Sequence, residues 1–251
     1  MPKVDYFLLV LPEQHYLSYG SCVIRDIVNR YAKTGQTVVE LPDGSANPET
    51  IDQAIADHDP ILICATGHGN SDVFTVECKT VYMRSGDARV AKMSNRVVHL
   101  ISCLTAGGLG PSLINAGALT YFGCMEEFNF YIGSGPCSDR ASMAVFLPEL
   151  QVEASLLSVK TTGEARADQL SRYDEEIEYW FRGVGSTHPD AAVILRCLEI
   201  DRDISTMLGR SDIKVTTAVS PPVVGMGTAL LAPVAMAFGM IAFGSSKGSV
   251  I

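Results

Sequence analysis

Two side chains that can share a proton sit at the ends of two short apolar runs. The first run, Ile61-Leu62-Ile63-Cys64-Ala65-Thr66, leads into Gly67-His68-Gly69. The second, Val97-Val98-His99-Leu100-Ile101-Ser102, leads into Cys103. A thiol becomes a nucleophile when a neighbouring base takes its proton, and an imidazole is suited to that task near neutral pH. An acyl transfer needs backbone donors aimed at the developing oxyanion. The N–H groups of Gly69 and Cys103 are the candidates. Glycine on both sides of His68 lets the backbone turn sharply and approach a substrate. The stretch from Leu104 to Gly110 is glycine-rich and opens a helix. A thiol beside that positive helix end is expected to have a lowered pKa.

The elements that would bring His68 and Cys103 together are strands. Apolar, β-rich runs of this length read as buried strands of a parallel sheet. Functional residues in such sheets lie just beyond the carboxyl ends of strands. The pattern predicts strands over 6–11, 37–41, 60–65, 96–102 and 119–123. Helices are predicted over 21–32, 48–57 and 106–116, with a β-hairpin excursion over 73–83. Strands alternating with helices through short connections argue an α/β fold, a three-layer sandwich around a parallel sheet. Residues 1–138 form this core. Over 139–214 the pattern turns helical, with helices at 138–159, 164–181 and 190–208 and no recurring strand, an extension packed on or beside the core. From 215 to 246 there is no charged residue and no histidine. Within the apolar segment 215–251, residues 223–244 are long enough to cross a bilayer and are expected to form a C-terminal transmembrane anchor.

Composition excludes some functions. The net charge is −9, from 19 Lys and Arg against 28 Asp and Glu, with no basic cluster. Nucleic-acid binding, which rests on neutralising phosphates, is excluded on that ground. The seven cysteines are scattered and include no CxxC pair. They read as free thiols of a reducing compartment, Cys64, Cys124 and Cys197 being small buried hydrophobes. No cofactor is implied, and a metal site built on His68 and Cys103 lacks the usual ligand spacing. His99 lies inside a strand and reads as a satisfied core or sheet-face residue.

The strand ending in Gly67-His68-Gly69-Asn70, followed by Ile101-Ser102-Cys103-Leu104-Thr105-Ala106-Gly107-Gly108, resembles the caspase–gingipain–legumain superfamily of cysteine peptidases. There too a strand ends in His-Gly and a later one in Cys. The continuation through Pro111 to Ala118 and Tyr121-Phe122-Gly123 looks most like the gingipain-like branch. The likeness covers roughly residues 5–135. It implies a caspase-like fold and a thiol protease in which Cys103 forms an acyl-thioester and His68 is the general acid/base. It also implies a protein or peptide substrate, bound by loops at the same sheet edge. Glu13, Glu126 and Glu127 are the candidate pocket acids there, and a buried carboxylate among them would favour Arg or Lys. Asn70 and Ser102 are candidates for orienting the pair or for capping turns. The chain departs from the resemblance in showing no processing linker and in its apolar tail. That tail points to a membrane-associated protein with a cytoplasmic catalytic domain, or to a partner subunit. The competing reading is a catalytically silent caspase-like module acting in regulation or assembly.

Overall fold

The computed structural model describes residues 2–12, 17–32 and 35–216. In chain order the elements begin with β1 (Lys3–Leu11), α1 (Leu17–Tyr31), β2 (Thr37–Pro42), α2 (Pro48–His58) and β3 (Pro60–Thr66). There follow β4 (His68–Asn70), β5 (Val73–Thr75), β6 (Val81–Arg84), α3 (Ala88–Ala91), β7 (Val97–Ile101), α4 (Leu109–Asn115) and β8 (Thr120–Cys124). The chain continues through α5 (Arg140–Met143), α6 (Phe146–Glu149), α7 (Gln151–Leu157), α8 (Thr162–Phe181), α9 (Ala191–Ile204) and β9 (Ser205–Gly209). The expected transmembrane segment at 223–244 lies outside the described residues, as does the candidate pocket acid Glu13. No described helix is long and apolar enough to cross a membrane.

The main sheet runs in the order β2-β1-β3-β7-β8-β9 and is parallel except for the last pairing. Every residue of β3, β7 and β8 is buried. Both faces are covered, which is why these strands read as continuous apolar runs rather than alternating ones. Alternate residues feed two cores. Phe7, Leu9, Leu62 and Cys64 pack with α1 and α7 on one side. Leu8, Val10, Ile63 and Ala65 pack with α2 and α4 on the other. The result is the expected three-layer α/β sandwich. The strand order reverses between β1 and β3, so the crevice at their carboxyl ends is where such a sheet places a ligand.

Three sequence-based expectations change. The hairpin excursion is a separate three-stranded sheet, β4-β5-β6, and His68 opens its first strand. The helix expected over 138–159 is broken into α5, α6 and α7, with Pro148 buried inside α6. The helix expected over 190–208 stops at Ile204, and 205–209 turns into β9, antiparallel to β8. Ser-Thr-Met-Leu-Gly is too short and too mixed to announce a strand, and only the exposed edge of β8 makes it one.

The cysteines also differ from expectation. Cys22 on α1 and Cys137 form a disulfide, with Cα atoms 6.1 Å apart across 115 residues of sequence. Nothing local in the sequence marks that pairing. Cys64, Cys78, Cys103, Cys124 and Cys197 are not disulfide-bonded.

Candidate active site

Register brings the two strand ends together. Thr66 of β3 is the partner of Ile101 of β7. The ladder extends one step further, Gly67 N–H donating to the Ile101 carbonyl at 3.2 Å. His68 and Cys103 lie at the same offset beyond that pair, and both line one cavity of about 110 Å³.

The glycines around His68 serve close packing. A Cβ on Gly67 would fall 2.1 Å from the Thr75 carbonyl oxygen and 2.5 Å from the Phe74 ring. A Cβ on Gly69 would fall 2.6 Å from Thr105 Cγ2 and 2.7 Å from the Cys103 carbonyl oxygen. Neither is among the positive-φ residues. Gly-His-Gly therefore lets the segment carrying the imidazole press directly against the segment carrying the thiol. The Thr75 hydroxyl donates to the His68 carbonyl at 3.2 Å and fixes the backbone there.

Beyond Cys103 the chain turns through Leu104, a non-glycine residue in the left-handed region with φ 64°. That conformation costs about 1–2 kcal/mol. It is held by Leu104 N–H to the Glu126 carbonyl (2.9 Å) and Ala106 N–H to the Cys124 carbonyl (3.0 Å). Behind the turn, Ser102 Oγ lies 2.9 Å from Thr105 Oγ1, which accepts from the Tyr121 hydroxyl at 2.8 Å. Ser102 thus braces the turn. Asn70 is exposed, and its Oδ1 accepts from Asp72 N–H, a turn role.

The thiol environment differs from the expected one. Helix α4 starts only at Leu109, and the N–H groups of Leu109 and Gly110 donate to Ser71 and Thr105 carbonyls. The first two N–H groups of α4 are thus engaged by backbone carbonyls rather than by Sγ. Burial pushes the Cys103 thiol pKa up, and the charges of Glu127 and Asp201 add to this. The backbone N–H groups of Phe128 and of Cys103 itself point at the sulfur and pull the other way. The net direction is up, so the resting group is a thiol. The Phe128 N–H is a donor that the sequence did not reveal, because any residue type would supply it.

The cavity walls come from three elements. Leu17 and Gly20 of α1 form one side, and Phe128, Phe130 and Phe146 the other. The rings pack on one another at centroid distances of 5.2 Å (Phe130–Phe146) and 5.6 Å (Phe128–Phe146). Helix α1 can lie this close because a Cβ on Gly20 would already stand 2.9 Å from Thr66 Cγ2. The loop carrying Phe128 is held by Asp201, whose carboxylate accepts from Asn129 N–H at 2.9 Å. Burial raises the Asp201 pKa to about 8. His68 also faces a second, more open cavity of about 260 Å³ with Asn70, Thr75 and Lys79.

Of the three expected pocket acids, Glu13 lies outside the described residues and the other two are not brought in. Glu126 and Glu127 are exposed and lie outside the residues lining the cavity. The two side chains stand on the solvent face of a loop whose backbone, not its carboxylates, meets the Cys103 turn.

The buried carboxylates are elsewhere. His99 is fully enclosed between Glu153 (Nδ1 to Oε1, 2.7 Å) and Glu149 (Nε2 to Oε1, 3.1 Å). Glu149 also accepts from Gln169, Tyr173 and Ser205, each at 2.9 Å. Burial pushes the Glu149 pKa up, but the hydrogen bond and charge of His99, with the Ser205 and Tyr173 bonds, hold it below its ordinary value, and the carboxylates raise that of His99 well above its own although it is buried. Among the described residues, Cys64, His99 and Glu153 are the grouping whose donor atoms lie close enough for a metal, within 4.8 Å. With both ring nitrogens of His99 engaged by carboxylates and burial raising the Cys64 pKa to about 12, it reads as a charge network tying β7 to α6 and α7.

No known protein family matches the chain, and no curated protein does. Among solved structures, the complex of the pro- and mature domains of RgpB from Porphyromonas gingivalis is similar at 10% identity, with a TM-score of 0.49. The match covers 83% of this chain and 47% of that one, so the chain spans about half of that structure's length.

Proposed function

We propose that this chain is a cysteine peptidase in which His68 and Cys103 act as a pair. The observation that carries the reading is the single cavity lined by both side chains, at the carboxyl ends of adjacent parallel strands. His68 removes the Cys103 proton as the sulfur attacks a substrate carbonyl carbon. The new C–S bond forms and the carbonyl oxygen takes the negative charge, facing the backbone N–H groups of Gly69 and Cys103. His68 then returns the proton to the leaving amine as the C–N bond breaks, leaving a thioester. Water, deprotonated by His68, cleaves the thioester and restores the thiol. Because burial keeps the resting group a thiol, His68 serves as a base during attack rather than as the partner of a standing thiolate. The leaving peptide runs toward the open cavity past Asn70 and Thr75.

Cleavage of a peptide library is expected to vanish in Cys103→Ala and to fall by at least about a hundredfold in His68→Ala, the scale of a lost general base. Full cleavage by Cys103→Ala would sink the proposal. The second reading, a silent module that binds peptides without cutting them, is favoured by one observation, the raised pKa of the Cys103 thiol. It predicts that peptide binding survives Cys103→Ala while no cleavage is seen in either protein.

A further inference from the structure

We propose that the cavity beside Cys103 takes one uncharged aliphatic side chain of about leucine or methionine size, so that the bond cleaved follows such a residue. This rests on the reading of Cys103 as the nucleophile. Away from the pair and the strand ends that carry it (Thr66, Gly67, Ile101 and Ser102), the walls are Leu17, Gly20, Phe128, Phe130 and Phe146, and among the described residues no Asp, Glu, Lys or Arg lines the space. A basic or acidic side chain entering it would lose its hydration with no partner in return, which costs far more than an apolar one gains. Glu126 and Glu127, the acids nearest in sequence, are exposed outside it. Asp201, the buried acid behind the loop, has its carboxylate turned to the Asn129 N–H.

Size narrows the choice further. The cavity holds about 110 Å³. A cavity of roughly 150 Å³ is enough for benzene. A branched or thioether side chain fits the smaller space, and an indole does not. The walls resist expansion, because Phe146 is buried and the three rings support one another. Phe128 and Phe130 are only partly buried, so a substrate side chain would complete their burial. Full burial of a leucine side chain corresponds to roughly a ten- to hundredfold gain in kcat/KM over alanine.

The test uses matched peptidyl chloromethyl ketones that differ only in the residue next to the ketone: Leu, Ala, Arg, Asp or Phe. Alkylation of Cys103 in the full chain is followed by mass spectrometry. The leucine reagent is expected to label at least tenfold faster than the alanine, arginine and aspartate reagents. Phe130→Ala, which enlarges the cavity at its partly exposed rim, is expected to move the preference from leucine toward phenylalanine. Its thermal midpoint and the labelling rate with the alanine reagent check that the fold and the thiol survive. Faster labelling by the arginine or aspartate reagent, or an unchanged leucine-to-phenylalanine ratio in a folded Phe130→Ala, would overturn the specificity and leave the His68–Cys103 reading standing. Labelling of Cys103 by none of the five, with Cys78 still alkylated by a simple haloacetamide, would overturn both.

Discussion

Three titratable side chains with displaced pKa values carry most of the chemistry that can be tested one residue at a time. Cys103 is held as a thiol by burial, whereas Cys78 is exposed. Iodoacetamide at neutral pH is therefore expected to alkylate Cys78 first, and the Cys103 rate to climb with pH beyond the ordinary thiol range. Peptide mapping after timed quenching reads both. His99 holds a raised pKa between two carboxylates, so its contribution to stability is complete below its unfolded pKa and is lost only as pH rises through the elevated folded value. His99→Ala strands Glu149 and Glu153 in the core and is expected to cost about 3–5 kcal/mol in denaturant unfolding. Asp201 behaves in the opposite sense to an ordinary ion-paired carboxylate. Its folded pKa of about 8 against a reference of 3.8 means that stability is greatest below the lower value and declines as pH rises toward the upper one. Asp201→Asn keeps an acceptor for the Asn129 N–H and is expected to flatten the fall in thermal midpoint between about pH 4 and pH 8. His99 was legible in the sequence as a satisfied core histidine. Its partners were not, since Glu149 and Glu153 arrive from a helical segment some fifty residues away and look like any helix-surface glutamates.

At the scale of elements, the site depends on α1, the loop after β8 and the paired ends of β3 and β7. The disulfide from Cys22 on α1 to Cys137 joins the helix that supplies Leu17 and Gly20 to the loop that supplies Phe128 and Phe130. A cross-link closing a loop of this length contributes roughly 5 kcal/mol in the chain-entropy picture. Cys137→Ser is expected to lower the thermal midpoint by several degrees and to weaken discrimination between leucine and alanine substrates, while cleavage itself persists. Gly67→Ala is expected to be far more damaging. The added methyl group meets a backbone carbonyl and an aromatic ring that cannot both move, so soluble folded protein should be lost. The strands β3, β7 and β8 were legible because burial on both faces writes itself as an unbroken apolar run. The end of α9 was not, because β9 gains its state from pairing with β8 rather than from its own residues. The expected helix-dipole activation of Cys103 failed for a geometric reason. The left-handed turn at Leu104 separates the thiol from α4, and leucine gives no warning of such a conformation.

At the scale of the molecule, a three-layer sandwich presents the carboxyl ends of β1, β3 and β7 on one edge, and His68 and Cys103 line one cavity there, beyond β3 and β7 and next to the strand-order reversal between β1 and β3. The order and spacing of those two residues were readable from sequence because each follows directly on its strand. The apolar character of the cavity was not, since its walls come from 17–20, 128–130 and 146, brought together by packing rather than by proximity in the chain. The central claim, that this edge performs acyl transfer through Cys103, is tested most directly by trapping the thioester. The full chain is mixed with a slowly hydrolysed ester of an N-acylated leucine, quenched in acid, and weighed by intact-protein mass spectrometry with peptide mapping. One acyl group on Cys103, removable by hydroxylamine, absent from Cys103→Ala and strongly reduced in His68→Ala, is the predicted result. An unacylated Cys103, or the same acylation in Cys103→Ala, would contradict it.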